Sequence, residues 1–189
     1  MAVLGLDEIH KRVKEHGLVE NLGARELKNP EGVGVDLRLG EIFRIVEGGA
    51  FIEADGKAGL GKRKGVKTES LAKFNPESDT QEDVSIEPGK YYLVKSFETI
   101  NTPQDLMPVL YGRGSLFRAG LLLLVSKTDP GYKGQLIMGL KNLSDFVVKL
   151  QMGARICNLV FYKIEGSSVS YRGQHQGGRV TPEDVEQQV

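Results

Sequence analysis

Gly34-Val35-Asp36-Leu37-Arg38-Leu39 alternates apolar and charged side chains. A period of two puts Val35, Leu37 and Leu39 on one face and Asp36 and Arg38 on the other, the pattern of a half-buried strand. Ile42–Val46 resumes the pattern after Gly40, and Gly48-Gly49 ends it. Working outward, further strands are expected at Tyr91–Val94, Leu106–Tyr111, Leu121–Val125, Gln135–Leu140, Phe146–Leu150 and Ile156–Ile164. The 24 glycines and the absence of tryptophan fit short segments closed by tight turns, the rhythm of an all-β protein. One segment departs from it. Leu6, Ile9 and Val13 recur at helical spacing, with Asp7 placed to cap the start and Gly17 the end, so a short N-terminal helix is expected.

A chain of 189 residues suits one domain with arms and can bury a core without disulfides or metal. The formal net charge is zero, so no global field gathers nucleic acid or an anionic membrane, and any anion site must be local. The lone cysteine, Cys157, excludes an internal disulfide and a cysteine metal site, and is expected in the core; a cytoplasmic setting fits. Met1–Leu6 has no charged and apolar leader pattern, and the apolar run 119–125 is too short to span a bilayer. Residues 54–83 are charged, glycine-containing and aperiodic, which predicts a long loop insertion. Within them Gly56-Lys57-Ala58-Gly59-Leu60-Gly61-Lys62-Arg63 approaches a P-loop, but Arg63 stands where a Mg2+-binding hydroxyl is required, and a solvated basic loop is the reading. From Gly166 the chain is too polar to pack alone; it is disordered or docks on something. The expected division is 1–165 as the β domain and 166–189 as a tail.

Two segments look specialised. In Tyr111-Gly112-Arg113-Gly114-Ser115-Leu116-Phe117-Arg118, small residues between arginines suit close backbone approach to an anion with bidentate guanidinium donors, although a charged turn explains the spacing as well. In Lys127-Thr128-Asp129-Pro130-Gly131-Tyr132-Lys133-Gly134, Asp129 opens a Pro-Gly turn, and turn capping is the plainer reading. His10, His16 and His175 lie apart in sequence and are expected at the surface.

The order of these segments, followed by Asn142, Gly153-Ala154-Arg155-Ile156-Cys157-Asn158-Leu159-Val160-Phe161 and Tyr171-Arg172-Gly173-Gln174, resembles the dUTPase and dCTP deaminase family over about residues 5 to 180. The resemblance implies a mainly β fold, a distorted β-barrel or jelly roll of the β-clip kind, assembled as a homotrimer with sites between subunits and the tail closing over them. It implies a deoxypyrimidine nucleoside triphosphate as ligand. Arg113, Gly114, Ser115 and Leu116 would form the phosphate loop, joined by Arg118. Asp129 would begin the deoxyribose turn, with Tyr132 beneath the sugar. Asn158 stands at the position of a family glutamine. Tyr171, Arg172 and Gln174 would close over the phosphates, and Asp36 would hold water around Mg2+.

The N-terminal helix and the 54–83 loop resemble the deaminase branch. That branch places a glutamate five positions beyond the glycine closing the Asp turn, and here that position is Gly139, which carries no proton. It also has a serine at the position of Gly114 and a tail lysine at that of Ser170. The matched inventory therefore favours dUTP diphosphatase, releasing dUMP and pyrophosphate with Mg2+ and with Asp129 as general base. A dCTP deaminase, giving dUTP and ammonia, and a nucleotide-binding relative with little catalysis remain the alternatives.

Overall fold

The computed structural model describes residues 2–57 and 59–188. Met1, Ala58 of the P-loop-like run and Val189 of the tail lie outside the described residues. The N-terminal part contains α1 (Leu6–His16), β1 (Val19–Glu20), α2 (Ala24–Lys28) and β2 (Val35–Glu47). Next come β3 (Phe51–Ile52), β4 (Lys62–Lys64), β5 (Lys67–Lys73), β6 (Asp83–Ile86) and β7 (Tyr91–Asn101). The C-terminal part has β8 (Leu106–Gly112), α3 (Gly114–Arg118), β9 (Leu121–Leu124), β10 (Lys133–Asn142), β11 (Val148–Gln151), β12 (Arg155–Lys163) and β13 (Glu186–Gln187).

The expected mainly β barrel forms. The principal sheet runs β8-β12-β2-β7-β10-β9, with β1 added to β7 and β5 to β2. Its ends approach each other just beyond β9. Leu110 N donates to Ser126 O at 3.3 Å and Thr128 N to Pro108 O at 2.7 Å, so few strand edges are left open.

β2 runs through Gly40 and joins the two patterned stretches, 35–39 and 42–46, in one strand. Its first half pairs with β12 and its second with β7 and β5, with a register shift between Leu39 and Glu41. A Cβ at Gly40 would stand 2.7 Å from the Phe97 backbone. Glycine therefore lets β7 cross closely while the strand continues through a bulge. Period-two burial is clearest in β7, where Tyr92, Val94, Ser96, Glu98 and Ile100 all point inward.

The core combines Val35, Leu37 and Leu39 of β2 with Ile156, Cys157, Leu159 and Phe161 of β12. Burial pushes the Cys157 thiol pKa up, keeping it inert. α1 lies as expected, ended by Gly17 at φ 62°. Gly5, not Asp7, is its N-cap, and Asp7 sits in the first turn. An 11-residue helix is marginal alone. Ile9, fully buried, anchors it and contributes about 1.5–3 kcal/mol.

The 54–83 segment is not one long loop. β4 and β5 form within it, because β4 finds β3 on one side and the tail strand β13 on the other. The tail docks: Gly65 N donates to Pro182 O at 2.5 Å and Gln188 N to Gly61 O at 2.8 Å. Sequence periodicity missed this three-stranded sheet because its strands are two or three residues long.

Candidate active site

The site residues fall into two groups. Asp129-Pro130-Gly131-Tyr132 folds as expected into a tight turn, with Gly131 at φ 79° and Tyr132 N donating to Asp129 O at 3.2 Å. The turn frames a hollow of about 310 Å3, whose walls include Lys127, Asp129, Tyr132, Ile137, Tyr171 and His175. Tyr132 is buried, and its hydroxyl donates to Gln135 O at 2.5 Å. Burial pushes its pKa up to about 12. The Tyr171 ring meets it edge-on at 5.4 Å, giving a rigid aromatic platform the size of a sugar ring. Asp129 is half-exposed and ion-paired with Lys127.

The tail is fixed across this hollow. Tyr171 N donates to Pro130 O at 2.6 Å, Lys133 N to Gln176 Oε1 at 3.0 Å, and Gly177 N to Lys133 O at 2.8 Å. His175 is therefore not the surface residue its polarity suggested. It is partly buried in the wall, and its imidazole pKa is lowered by burial and then by the charge of Arg63. Its nearness to Tyr171-Arg172-Gly173-Gln174 was the signal that could have found it. Gln174 faces elsewhere: its Nε2 donates to Gln187 O at 2.6 Å and its Oε1 accepts from Arg63, tying the tail to the β4 hairpin. Arg172 is exposed beside Asp129, in a neighbouring hollow with Ser170 and Gly173.

The second group lies around the arginine loop. Arg113 follows β8, and residues 114–118 form the short helix α3 rather than a plain turn. Leu116 is buried and anchors α3 in the core, so it does not face a ligand as expected. Arg113, Gly114, Ser115 and Arg118 line a hollow of about 340 Å3 with Arg25, Glu26, Glu31 and Asp36. A Cβ at Gly114 would stand 2.9 Å from the Arg118 guanidinium, so glycine lets Arg118 fold back over the loop.

Asp36 is the internal counter-ion of this group. It pairs with Arg113, accepts from Arg155 Nη1 at 2.9 Å, and accepts from Asn158 Nδ2 at 3.0 Å on its other oxygen. Burial, with Arg155 and Arg25 nearby, lowers the Arg113 pKa. Buried Glu26 braces the cluster, accepting from Asp36 N at 3.1 Å and Arg25 Nη1 at 2.7 Å. The expected role of Asp36 as a holder of Mg2+ waters does not fit. Both its oxygens already accept from cationic or amide donors, and the surrounding side chains are mostly cationic. Asn158 likewise serves Asp36 rather than facing a ligand. No group of histidine, cysteine and carboxylate side chains suited to a metal occurs among the described residues.

The expected site thus divides into a nucleoside-sized hollow at Asp129, Tyr132 and Tyr171, and a separate arginine-lined hollow at Arg113, Ser115 and Arg118.

A protein-family model described as dCTP deaminase-like matches residues 3–164. A dCTP deaminase, dUMP-forming, from Dictyoglomus turgidum is 32% identical over 174 residues, covering 86% of this chain and 80% of its own length. A dCTP deaminase from Idiomarina loihiensis is 29% identical over 183 residues, covering 89% of this chain and 91% of its own. Among solved structures, the 2'-deoxycytidine 5'-triphosphate deaminase from Agrobacterium tumefaciens matches with a TM-score of 0.59 at 17% identity. That match covers 84% of this chain and 48% of the other, so the chain spans about half its length and the likeness speaks for the fold alone. These relatives overturn the expected dUTP diphosphatase: the similar curated proteins carry deaminase names over most of the chain. The expectation had rested chiefly on Gly139, with Gly114 and Ser170 as further departures, and these few positions do not outweigh similarity along the whole domain.

Proposed function

Because the chain belongs to the dCTP deaminase-like family, we propose that it is a nucleotide-metabolising enzyme that binds dCTP and replaces the 4-amino group of its cytosine by oxygen, releasing ammonia. The observation that carries this is the hollow at Asp129, where a buried tyrosine platform and a docked tail enclose a space of nucleoside size. Tyr132 packs beneath the deoxyribose and leaves no room for a 2'-hydroxyl. Asp129 accepts from the sugar hydroxyl, and its ion pair with Lys127 orients it. Tyr171 and Arg172 cover the nucleotide from the tail.

The triphosphate is held by Arg113, Ser115 and Arg118, whose hollow is distinct from the nucleoside hollow on the same protomer. A homotrimer unites them, the arginine loop of one copy serving the nucleoside hollow of the next. An outward apolar face supports such burial: Phe117 is 65% exposed, Leu124 49% and Tyr111 46%. Contiguous exposure of large apolar side chains is characteristic of an interface.

Gly139 favours a second reading, a nucleotide-binding relative with little turnover, since the strand supplies no acid or base at that position. Incubation of the purified trimer with dCTP separates the two. Ammonia release, with dUTP or dUMP resolved by chromatography, supports the deaminase. Stabilisation by dCTP with no ammonia supports the binder.

A further inference from the structure

We propose that His175 is the proton-transfer residue of the nucleoside hollow, doing what no side chain at position 139 can do; this rests on the reading of the chain as a deaminase. Five ionisable side chains line the hollow: Lys127, Asp129, Tyr132, Tyr171 and His175. Lys127 and Asp129 neutralise each other. The Tyr132 proton is committed to Gln135 O, and its pKa of about 12 keeps it there. Tyr171 presents its hydroxyl to the backbone N–H of His175, accepting at 3.2 Å, while its ring packs on Tyr132. His175 is left as the group able to gain and lose a proton near neutrality.

Its surroundings suit a base. Burial and Arg63 lower the imidazole pKa, opposed by a backbone hydrogen bond to Arg179, while the ion-paired Arg179 and Glu186 act in opposite directions. The ring is therefore neutral at pH 7, the form that accepts a proton. The residue is also held in place. On one side its N–H meets Tyr171; on the other, Gln176 bonds Lys133 N and Gly131 O, at 3.0 and 3.1 Å. The tail thus carries His175 as a fixed part of the wall, not as a loose end.

The chemistry balances. As a water oxygen bonds to C4 of cytosine, His175 takes a proton from that water and delivers it to N3, giving a tetrahedral intermediate. The imidazole then moves the proton of the new C4 hydroxyl to the amino nitrogen. The C4–N bond breaks, ammonia leaves, and the C4 carbonyl of uracil remains. Water is the only co-reactant.

The test compares wild type with His175→Gln and His175→Ala in the full chain, measuring ammonia release from dCTP and dCTP affinity by calorimetry. The expected result is a fall in kcat of about 100-fold or more, typical of a lost general acid–base group, with dCTP affinity little changed. The acidic limb of the wild-type pH–kcat profile should vanish in His175→Gln, and added imidazole should restore turnover to His175→Ala. Variants that keep wild-type kcat, or that lose affinity and turnover together with no imidazole rescue, overturn the assignment while leaving the deaminase reading intact. A wild type that binds dCTP but releases no ammonia overturns both.

Discussion

The Tyr91 side chain covers Gly139 so closely that a Cβ there would stand 2.9 Å from its Cε2 and 3.0 Å from its Cζ. The two residues face each other diagonally across the β7–β10 ladder, where Gly139 pairs with Leu93 and Lys141 with Tyr91. The phenol therefore fills space that a longer residue at 139 would need, and the two positions act as a unit. Gly139→Ala is expected to cost about 1–3 kcal/mol, the range for overpacking. In a Tyr91→Ala background the same change should cost less than half as much. Urea denaturation of the four proteins in the cycle gives the coupling directly, and additive costs would show that the contact is not felt.

The barrel was legible because its long strands carry regular patterns. β2, β7, β10 and β12 bury side chains at period two or in apolar runs, and glycines mark most of their ends. The turn at Asp129 was legible too, since Pro130-Gly131 has one favoured geometry. What stayed hidden depends on chain segments far apart in sequence. The pairing of Glu186 with Arg63 has no local signature, so the 54–83 segment was read as a loop and the tail as disordered or docked on a surface the sequence did not name. The metal role implied for Asp36 failed because its three donors, Arg113, Arg155 and Asn158, lie far from it in sequence and are brought to it only by the fold. His175 looked like a surface residue because it was read by its polarity, although the adjacent Tyr171-Arg172-Gly173-Gln174 run was the one local sign that the tail folds back toward the site.

Glu98 is buried without exposure on β7 and receives two hydrogen bonds from Arg38, from its N at 2.8 Å and its Nε at 2.7 Å. Removing one member of such a pair leaves an uncompensated charge, so Glu98→Ala should cost about 3–5 kcal/mol. Burial outweighs the pairing and raises the Glu98 pKa above its ordinary value. The folded protein therefore binds that proton more tightly than the unfolded chain. Its stability contribution is complete below the unfolded pKa and is lost as pH rises through the folded one. Measured by urea denaturation across that window, wild type should lose stability relative to Glu98→Gln as pH rises. A constant difference would contradict the shift.

The β4 hairpin holds the tail. Gly65 lies under Thr181 and Pro182, where a Cβ would clash with the Thr181 hydroxyl and stand 3.0 Å from Pro182 O. Gly65→Val should therefore release the tail while leaving the barrel folded. Hydrogen exchange at residues 182–188 should rise toward that of free chain, with exchange in β2 and β7 unchanged. Equal protection in wild type and variant would mean that the hairpin does not hold the tail.

Asp36 occupies the arginine cluster that a triphosphate would otherwise neutralise. In Asp36→Asn, Arg113, Arg155 and Arg25 lose their shared counter-charge while keeping a side chain of the same shape. The variant should be less stable than wild type, because like charges remain close together in a partly buried setting. An added polyanion should then help it more than it helps wild type, since in wild type a phosphate must compete with Asp36 for Arg113. Thermal melts with and without inorganic pyrophosphate measure this, and the expected shift in Tm is larger for Asp36→Asn. Arg113→Ala in the same background should abolish the extra shift, because it removes the guanidinium for which carboxylate and phosphate compete. A shift equal in wild type and Asp36→Asn would place the pyrophosphate away from this cluster, and the arginine loop would lose its assignment as the phosphate site.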